Sequence, residues 1–357
     1  MDNKDTKTLL IILLKDTLIF GIVGFSIFTI FITNLYLKIN KLNHERIELQ
    51  DKYIFVIENS NSEVEIEYNN VPNYLTDYVN CLNNGLNVNN FSKELNKEIN
   101  NLKKFTNKYQ KKLQYSYKDI NTGFHIGFNE NTKVFAASTT KAPLAIYTYK
   151  LADENKVNLD KEYTYTKNYY ADGTGIIKNH KVNTNYSLRD LTKYSVTYSD
   201  NIAYLMISDI VSKKDTSNYF KKLGAQNLFN SKKNYDLYKV FGELSAKDGN
   251  IYMIELYKYS LNNSKNSNEL LSYFKKAALN NVKIATGKQV AHKYGWTDQY
   301  VNDMALVYDE NPYVITITST LGNEDWSSTF QKLAKKVDNI HELYIKETKQ
   351  YCKNNLK

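Results

Sequence analysis

Cysteine is almost absent from this chain. Cys81 and Cys352 stand far apart, with neither the spacing of a metal knuckle nor a CxxC pair, so a disulfide framework is excluded and a single long-range bridge is left open. No HExxH, paired aspartate or cysteine cluster accompanies His180 or His292. These are read as ordinary surface or strand histidines, and no metal is expected. No glycine-rich phosphate cradle appears, so no nucleotide cofactor is expected either. The formal charge of +9 suits anionic surroundings, yet the basic residues are interleaved with acids. With no compact basic stripe and no aromatic interleaving, nucleic acid is excluded as a partner and the lysines are read as a solvated surface. Proline (3) and glycine (13) are scarce, a bias that codon composition produces by itself and from which nothing functional is read. No internal repeat is visible.

What is present begins with apolar content. At 42% hydrophobic residues over 357 positions, the chain has ample material for one large core or two modest ones. From Thr17 to Leu37 no charge interrupts the sequence. Twenty-one residues at 1.5 Å each give about 31 Å, enough for a transmembrane helix across a bilayer core of about 30 Å. The run is too long for a signal-peptide core, and no small-x-small cleavage site or lipobox cysteine follows it. Lys4, Lys7 and Lys15 precede it while Lys38, Lys41 and Arg46 follow, so positive charge does not set its orientation.

Residues 38–105 are polar and Asn-rich, with one candidate strand at Tyr53 to Ile57 and a Lys/Glu-rich helix from Phe91 to Phe105; they read as a stalk and a lead-in helix. Strand-period alternation on both sides of Asn121-Thr122-Gly123 predicts a hairpin. Ser187 caps a helix opening LRDLTKY, and Ile202, Leu205, Met206 and Ile210 recur on one helical face. KQVAHKYGW, NDMALVY and YVITITST read as consecutive strands, the last two joined through Asp309 to Pro312. An amphipathic helix with Phe330, Leu333, Val337 and Ile340 follows. Two strands, a helical block, three strands and a final helix make an α+β plan: an antiparallel sheet flanked by helices, with an inserted helical lobe.

Three short elements carry chemistry. Ser138 and Lys141, in ASTTK at the start of an apolar helix, lie on one helical face, so the lysine amine can reach the hydroxyl. A serine hydroxyl is a poor nucleophile until a base takes its proton, and a lysine serves only if burial or nearby cations lower its pKa. Ser272-Tyr273-Phe274-Lys275 has the same SxxK spacing but reads as a solvated, lysine-rich helix face. The second element, Tyr198-Ser199-Asp200-Asn201, sits in a turn between helical runs. The third, His292-Lys293-Tyr294-Gly295-Trp296, ends a strand. Singly, each has a bland reading as a cap or an edge-strand charge. Their order and placement together point to a site.

Read with ADGTGIIK at Ala171 to Lys178, these elements resemble the penicillin-recognising serine hydrolases, most of all class A β-lactamases, over residues 106–345. The resemblance implies a β-lactamase/transpeptidase-like fold, with acyl-enzyme chemistry on β-lactams or D-alanyl-D-alanine wall peptides in a cleft between sheet and helical lobe. It assigns Ser138 as nucleophile, Lys141 as its base and Ser199 as proton relay. Asn201, Lys293, Tyr294 and Gly295 become substrate-binding residues, Lys293 drawing the substrate carboxylate. The backbone N–H groups of Ser138 and Trp296 form the oxyanion hole. It also implies no cofactor and a monomeric catalytic domain. A substrate found outside the cell then orients the chain: residues 1–16 cytoplasmic, 17–37 in the membrane, 38–105 an extracellular stalk, 106–345 catalytic and 346–357 a tail, giving a single-pass cell-membrane enzyme.

Two departures stand out. Tyr294 occupies the place where the family usually has threonine or serine, which puts substrate choice in question. No ExxLN segment lies between Asn201 and Lys293; Glu243 and Asp236 fall in that stretch without its pattern. Without the carboxylate that activates the deacylating water, acylation survives and hydrolysis slows. A DD-peptidase or slowly deacylating penicillin binder is therefore the alternative to a β-lactamase. A receptor that binds wall fragments or antibiotic without turnover is the rival from another class, disfavoured because sixteen residues ahead of Thr17 are too few for a cytoplasmic effector.

Overall fold

The structure, a computed structural model, describes residues 73–226, 228, 241–322 and 324–355. The expected span 17–37, the candidate strand at 53–57 and Asp236 lie outside the described residues. Among those described, no helix is long and apolar enough to cross a membrane.

Five antiparallel strands form the main sheet. β1 (Leu113–Asp119) pairs with β2 (His125–Phe128) through the expected hairpin. After the short β3 (Val134–Phe135) come a 3-10 turn, Ala137–Thr140, and helix α3 (Lys141–Asp153), α1 and α2 being Asn73–Asn84 and Lys93–Asn107. The helical lobe continues through β4 (Glu162–Thr164), β5 (Asn185–Ser187), α4 (Leu188–Thr197), α5 (Asn201–Ile210) and α6 (Lys213–Lys222). It closes with β6 (Glu243–Leu244), α7 (Ala246–Ser260) and α8 (Lys265–Lys275). A short α9 (Asn281–Thr286) leads to β7 (Gln289–Trp296), β8 (Val301–Tyr308), β9 (Tyr313–Ser319) and α10 (Trp326–Asn355). The strand order is β2-β1-β9-β8-β7, which leaves β7 at an edge.

Strand alternation sorts the sheet into two faces. Tyr313, Ile315 and Ile317 of β9 join Leu113, Tyr115 and Tyr117 in one core, closed by Leu95 and Leu102 of α2 and by Phe330, Leu333, Val337 and Ile340 of α10. Val314, Met304, Leu306 and Ala291 face the other core, beneath α3, α7 and α8. Gly249 of α7 is what lets that helix settle on the sheet, because a Cβ there would come within 2.5 Å of Thr316.

Two boundaries read from sequence are not structural ones. The expected lead-in helix at 91–105 is α2, but from residue 73 the expected stalk is folded chain: α2, capped by Ser92, buries Leu95 and Leu102 against the sheet, and α1 is tied to α10 by a Cys81–Cys352 disulfide. The expected tail from 346 instead continues α10 to Asn355, with Thr348 and Cys352 buried. Periodicity stopped at Ile340 because its later buried positions, His341, Tyr344, Thr348 and Cys352, do not read as an aliphatic stripe.

Candidate active site

α3 is buried nearly all round, from Lys141 through Tyr149, and so forms the spine of the helical lobe. The 3-10 turn before it holds Ser138 partly exposed at the positive end of the helix dipole. Ala137 has φ 49° and Ser199 φ 54°, so left-handed backbone, costly without glycine, occurs at both serine turns. Gly295 of β7 completes the close approach. A Cβ there would sit 2.7 Å from Ala136 O and 2.9 Å from the Ser138 nitrogen, so only glycine lets this strand pass the serine.

Lys141 Nζ lies 2.9 Å from Ser138 Oγ, 2.6 Å from the carbonyl oxygen of Ser199 and 2.7 Å from Asn201 Oδ1. The Asn201 amide is oriented by its Nδ2 donating to Asp172 O at 2.8 Å, so its oxygen faces the lysine. A carbonyl and an amide oxygen only accept. They take two N–H groups, and a neutral amine then has its lone pair left for the Ser138 hydroxyl. Burial and the neighbouring Lys293 hold the Lys141 pKa well below the ordinary lysine value, against a weaker opposing pull from Asp200.

Lys293 is also buried, and its Nζ donates to Ser199 Oγ at 3.0 Å and to Tyr294 O at 2.9 Å. Burial brings its pKa down to about 7, with Asp303 pulling the other way. The Tyr294 ring covers the ammonium, its centroid 4.5 Å away. An edge-strand lysine is ordinarily solvated; this one is turned into the protein. Trp296 is half exposed at the rim, and its backbone neighbour Gly295 lies against the turn of Ser138.

The expected residues therefore come together: Ser138, Ser199, Asn201, Tyr294 and Trp296 line one cavity of about 500 Å³, with Lys141 and Lys293 in its floor. Glu243, paired with Phe135 across β3 and β6, is not among the lining residues. His292, read as an ordinary histidine, is fully buried in β7 between Asp303 Oδ1 at 2.8 Å and Ala277 O at 3.2 Å. The second SxxK pair is half-buried rather than solvated. Ser272 donates to Glu269 O and Lys275 lies over the Tyr308 ring.

Sequence reasoning missed Asp200. Its carboxylate caps α5 at the Ala203 N–H and accepts from the N–H groups of Ile176 and Ile177, pinning the 171–178 segment beside Asn201. The aspartate within Ser-Asp-Asn was visible, but its second partner is a loop over twenty residues away. Phe241, Leu279 and Trp326 of the cavity wall were also missed, since nothing in their local patterns marks them.

A family model described as the beta-lactamase enzyme family matches residues 94–341. The chain belongs to the beta-lactamase enzyme family. No curated protein matches the sequence. Among solved structures, PBP-A is similar at 21% identity and TM-score 0.61 over 68% of this chain and 96% of that one. A beta-lactamase from Chitinophaga pinensis DSM 2588 reaches 18% and 0.60 over 68% and 98%. One from Sphaerobacter thermophilus DSM 20745 reaches 16% and 0.59 over 70% and 96%. At these identities the likeness shows the fold. For this beta-lactamase-family chain, the α+β plan with an antiparallel sheet and a helical lobe is thus shared with its structural neighbours.

Proposed function

We propose that the protein is a membrane-anchored cell-surface serine hydrolase that forms an acyl-enzyme on Ser138 with β-lactams and hydrolyses it. The observation that carries this reading is the Lys141 amine, 2.9 Å from the Ser138 hydroxyl and held in a water-poor site that favours its neutral form. Ser138 Oγ attacks the ring carbonyl as its proton passes to Lys141 Nζ. The oxyanion develops at the start of α3, against the backbone N–H groups of Ser138 and Trp296. Ser199, within 3.3 Å of Lys141 and 3.0 Å of Lys293, delivers a proton to the departing ring nitrogen as the C–N bond breaks. Water then releases the acyl group. A variant of PBP-A, which shares this fold, has been solved as an acyl-enzyme complex with penicillin G, which supports the same chemistry here. The Cys81–Cys352 bridge supports an oxidising compartment, in line with an anchor at 17–37 and a catalytic domain outside the cell.

The second reading is a DD-peptidase or a slowly deacylating penicillin binder acting on wall peptides. The missing ExxLN segment favours it, as does Glu243 standing outside the cavity lining. Intact-mass measurement after exposure to penicillin tests the shared step: a single-acyl adduct is expected, absent in Ser138→Ala. No adduct, or one that persists in the variant, removes the nucleophile. Turnover of a chromogenic cephalosporin separates the two readings, since a trap labels once and stops.

A further inference from the structure

The third-motif lysine of this chain is fully engaged by the protein itself. Lys293 is 0% exposed, and its Nζ spends hydrogen bonds on Ser199 Oγ and on the carbonyl of Tyr294, whose ring covers the remaining side at 4.5 Å. Apart from Lys141 and Lys293 beneath it, both engaged by hydrogen bonds, none of the described residues that line the cavity beside Ser138 carries a charge. Phe135, Phe241, Leu279, Tyr294, Trp296 and Trp326 make an apolar wall there, and Leu279 and Trp296 leave about half their surface open to solvent. A carboxylate moving into this wall would lose water and meet no free counter-ion. An uncharged group would lose little and gain apolar and aromatic contact.

We propose that Tyr294 is a specificity-determining residue: by covering the Lys293 ammonium with its ring, it makes this subsite accept an uncharged ester or amide end of the acyl donor in preference to a terminal carboxylate. The inference rests on the acyl-transfer reading for its choice of ligands. The same lysine stays close enough to Ser199 to serve the proton relay, so the tyrosine separates two tasks that one exposed ammonium would otherwise combine.

The test uses the full chain with Ser138→Ala, so that ligands bind without reacting. The sequence has two tryptophans, Trp296 and Trp326, and both line the cavity, so intrinsic fluorescence reports its occupancy. The ligands are penicillin G and its methyl ester, which differ only at the carboxylate. We expect the ester to bind at least as tightly as the acid, and Tyr294→Thr in the same background to shift the ratio toward the acid by about tenfold. A clear acid preference before the tyrosine is changed, a ratio that Tyr294→Thr leaves in place, or no fluorescence response to either ligand overturns the proposal. Intact mass with Ser138 restored keeps the two ideas apart. The expected ratios without any adduct remove acyl transfer and leave the subsite; an adduct with acid preference removes the subsite and leaves acyl transfer.

Discussion

Lys141 and Lys293, one at the head of the central helix and the other on an edge strand, converge on a single hydroxyl. Ser199 Oγ lies 3.3 Å from the first nitrogen and 3.0 Å from the second. Burial strips both amines of solvation, which is the main reason both pKa values fall, and at Lys141 the neighbouring Lys293 adds repulsion. The neutral amine that Ser138 requires is therefore present well below the pH at which an ordinary lysine would offer it.

The first prediction concerns this base. The acylation rate rises with pH as Lys141 loses its proton, in a range well below that of an ordinary lysine, and Lys141→Ala lowers it by about 10²–10⁴-fold. Time-resolved intact mass across pH 5.5–9 (about that range) measures both. A rate indifferent to pH and to the loss of Lys141 would assign the proton to another group.

Lys293 also has a stability cost. Its folded-state pKa of about 7 lies below the ordinary lysine value, so the unfolded chain binds the extra proton between the two, and stability rises with pH across that window. Lys293→Met should stabilise the fold by about 1–3 kcal/mol below pH 7. The gain shrinks as pH climbs toward the usual lysine range. Urea unfolding at about pH 6, below the window, and at about pH 9, inside it, reads the change, and a gain independent of pH would contradict the assignment.

Asp200 offers a third test. Its buried carboxylate serves three backbone N–H groups, of Ala203, Ile176 and Ile177. Asp200→Ala leaves all three without that acceptor and should cost about 2–4 kcal/mol. Because the same bonds hold the loop beside Asn201, acylation should fall as well. Stability within error of the parent would show that the loop is held by other contacts.

The fourth follows from Gly295. Its alanine variant drives a methyl group into backbone atoms, the Ala136 carbonyl and the Ser138 nitrogen, which cannot swing aside as a side chain can. Gly295→Ala should reduce acylation at least about a hundredfold while unfolding midpoints move modestly, by about 1–3 kcal/mol in free energy. Normal acylation would mean that the turn of Ser138 is mobile.

Much of this was legible before any coordinates. The hairpin at Asn121, the Ser187 cap, the three final strands and the serine-lysine face depend on local spacing, and each appears where that spacing places it. Long-range relationships were not legible. His292 looks ordinary until the register of β7 and β8 brings Asp303 beside it, and Lys293 looks solvated until Tyr294 folds over it. The lead-in helix at 91–105 is present, but the stalk reading failed from residue 73 because polar composition measures solvent exposure of the outer face and says nothing of the few leucines that dock inward. Pairing of the two cysteines was undecidable, since two thiols at opposite ends of a chain carry no local signal.

A last prediction concerns that bridge. Cys352→Ser should lower stability by about 2–5 kcal/mol. It should leave the acylation rate at 25 °C (about room temperature) within roughly threefold, because α1 and the end of α10 lie outside the cavity lining. A large loss of rate would mean that the crosslink shapes the site.

The bridge also brings the first and last described helices of this domain together. The Cα atoms of Cys81 and Cys352 are 5.7 Å apart, so the chain enters and leaves this domain at nearly one point. Such a unit can be grafted into a surface loop of a host protein, or cut and re-closed into a circular permutant by a linker of a few residues. Any new opening belongs on a surface turn remote from the two serines, and whatever tether holds the native entry point then becomes a matter of choice.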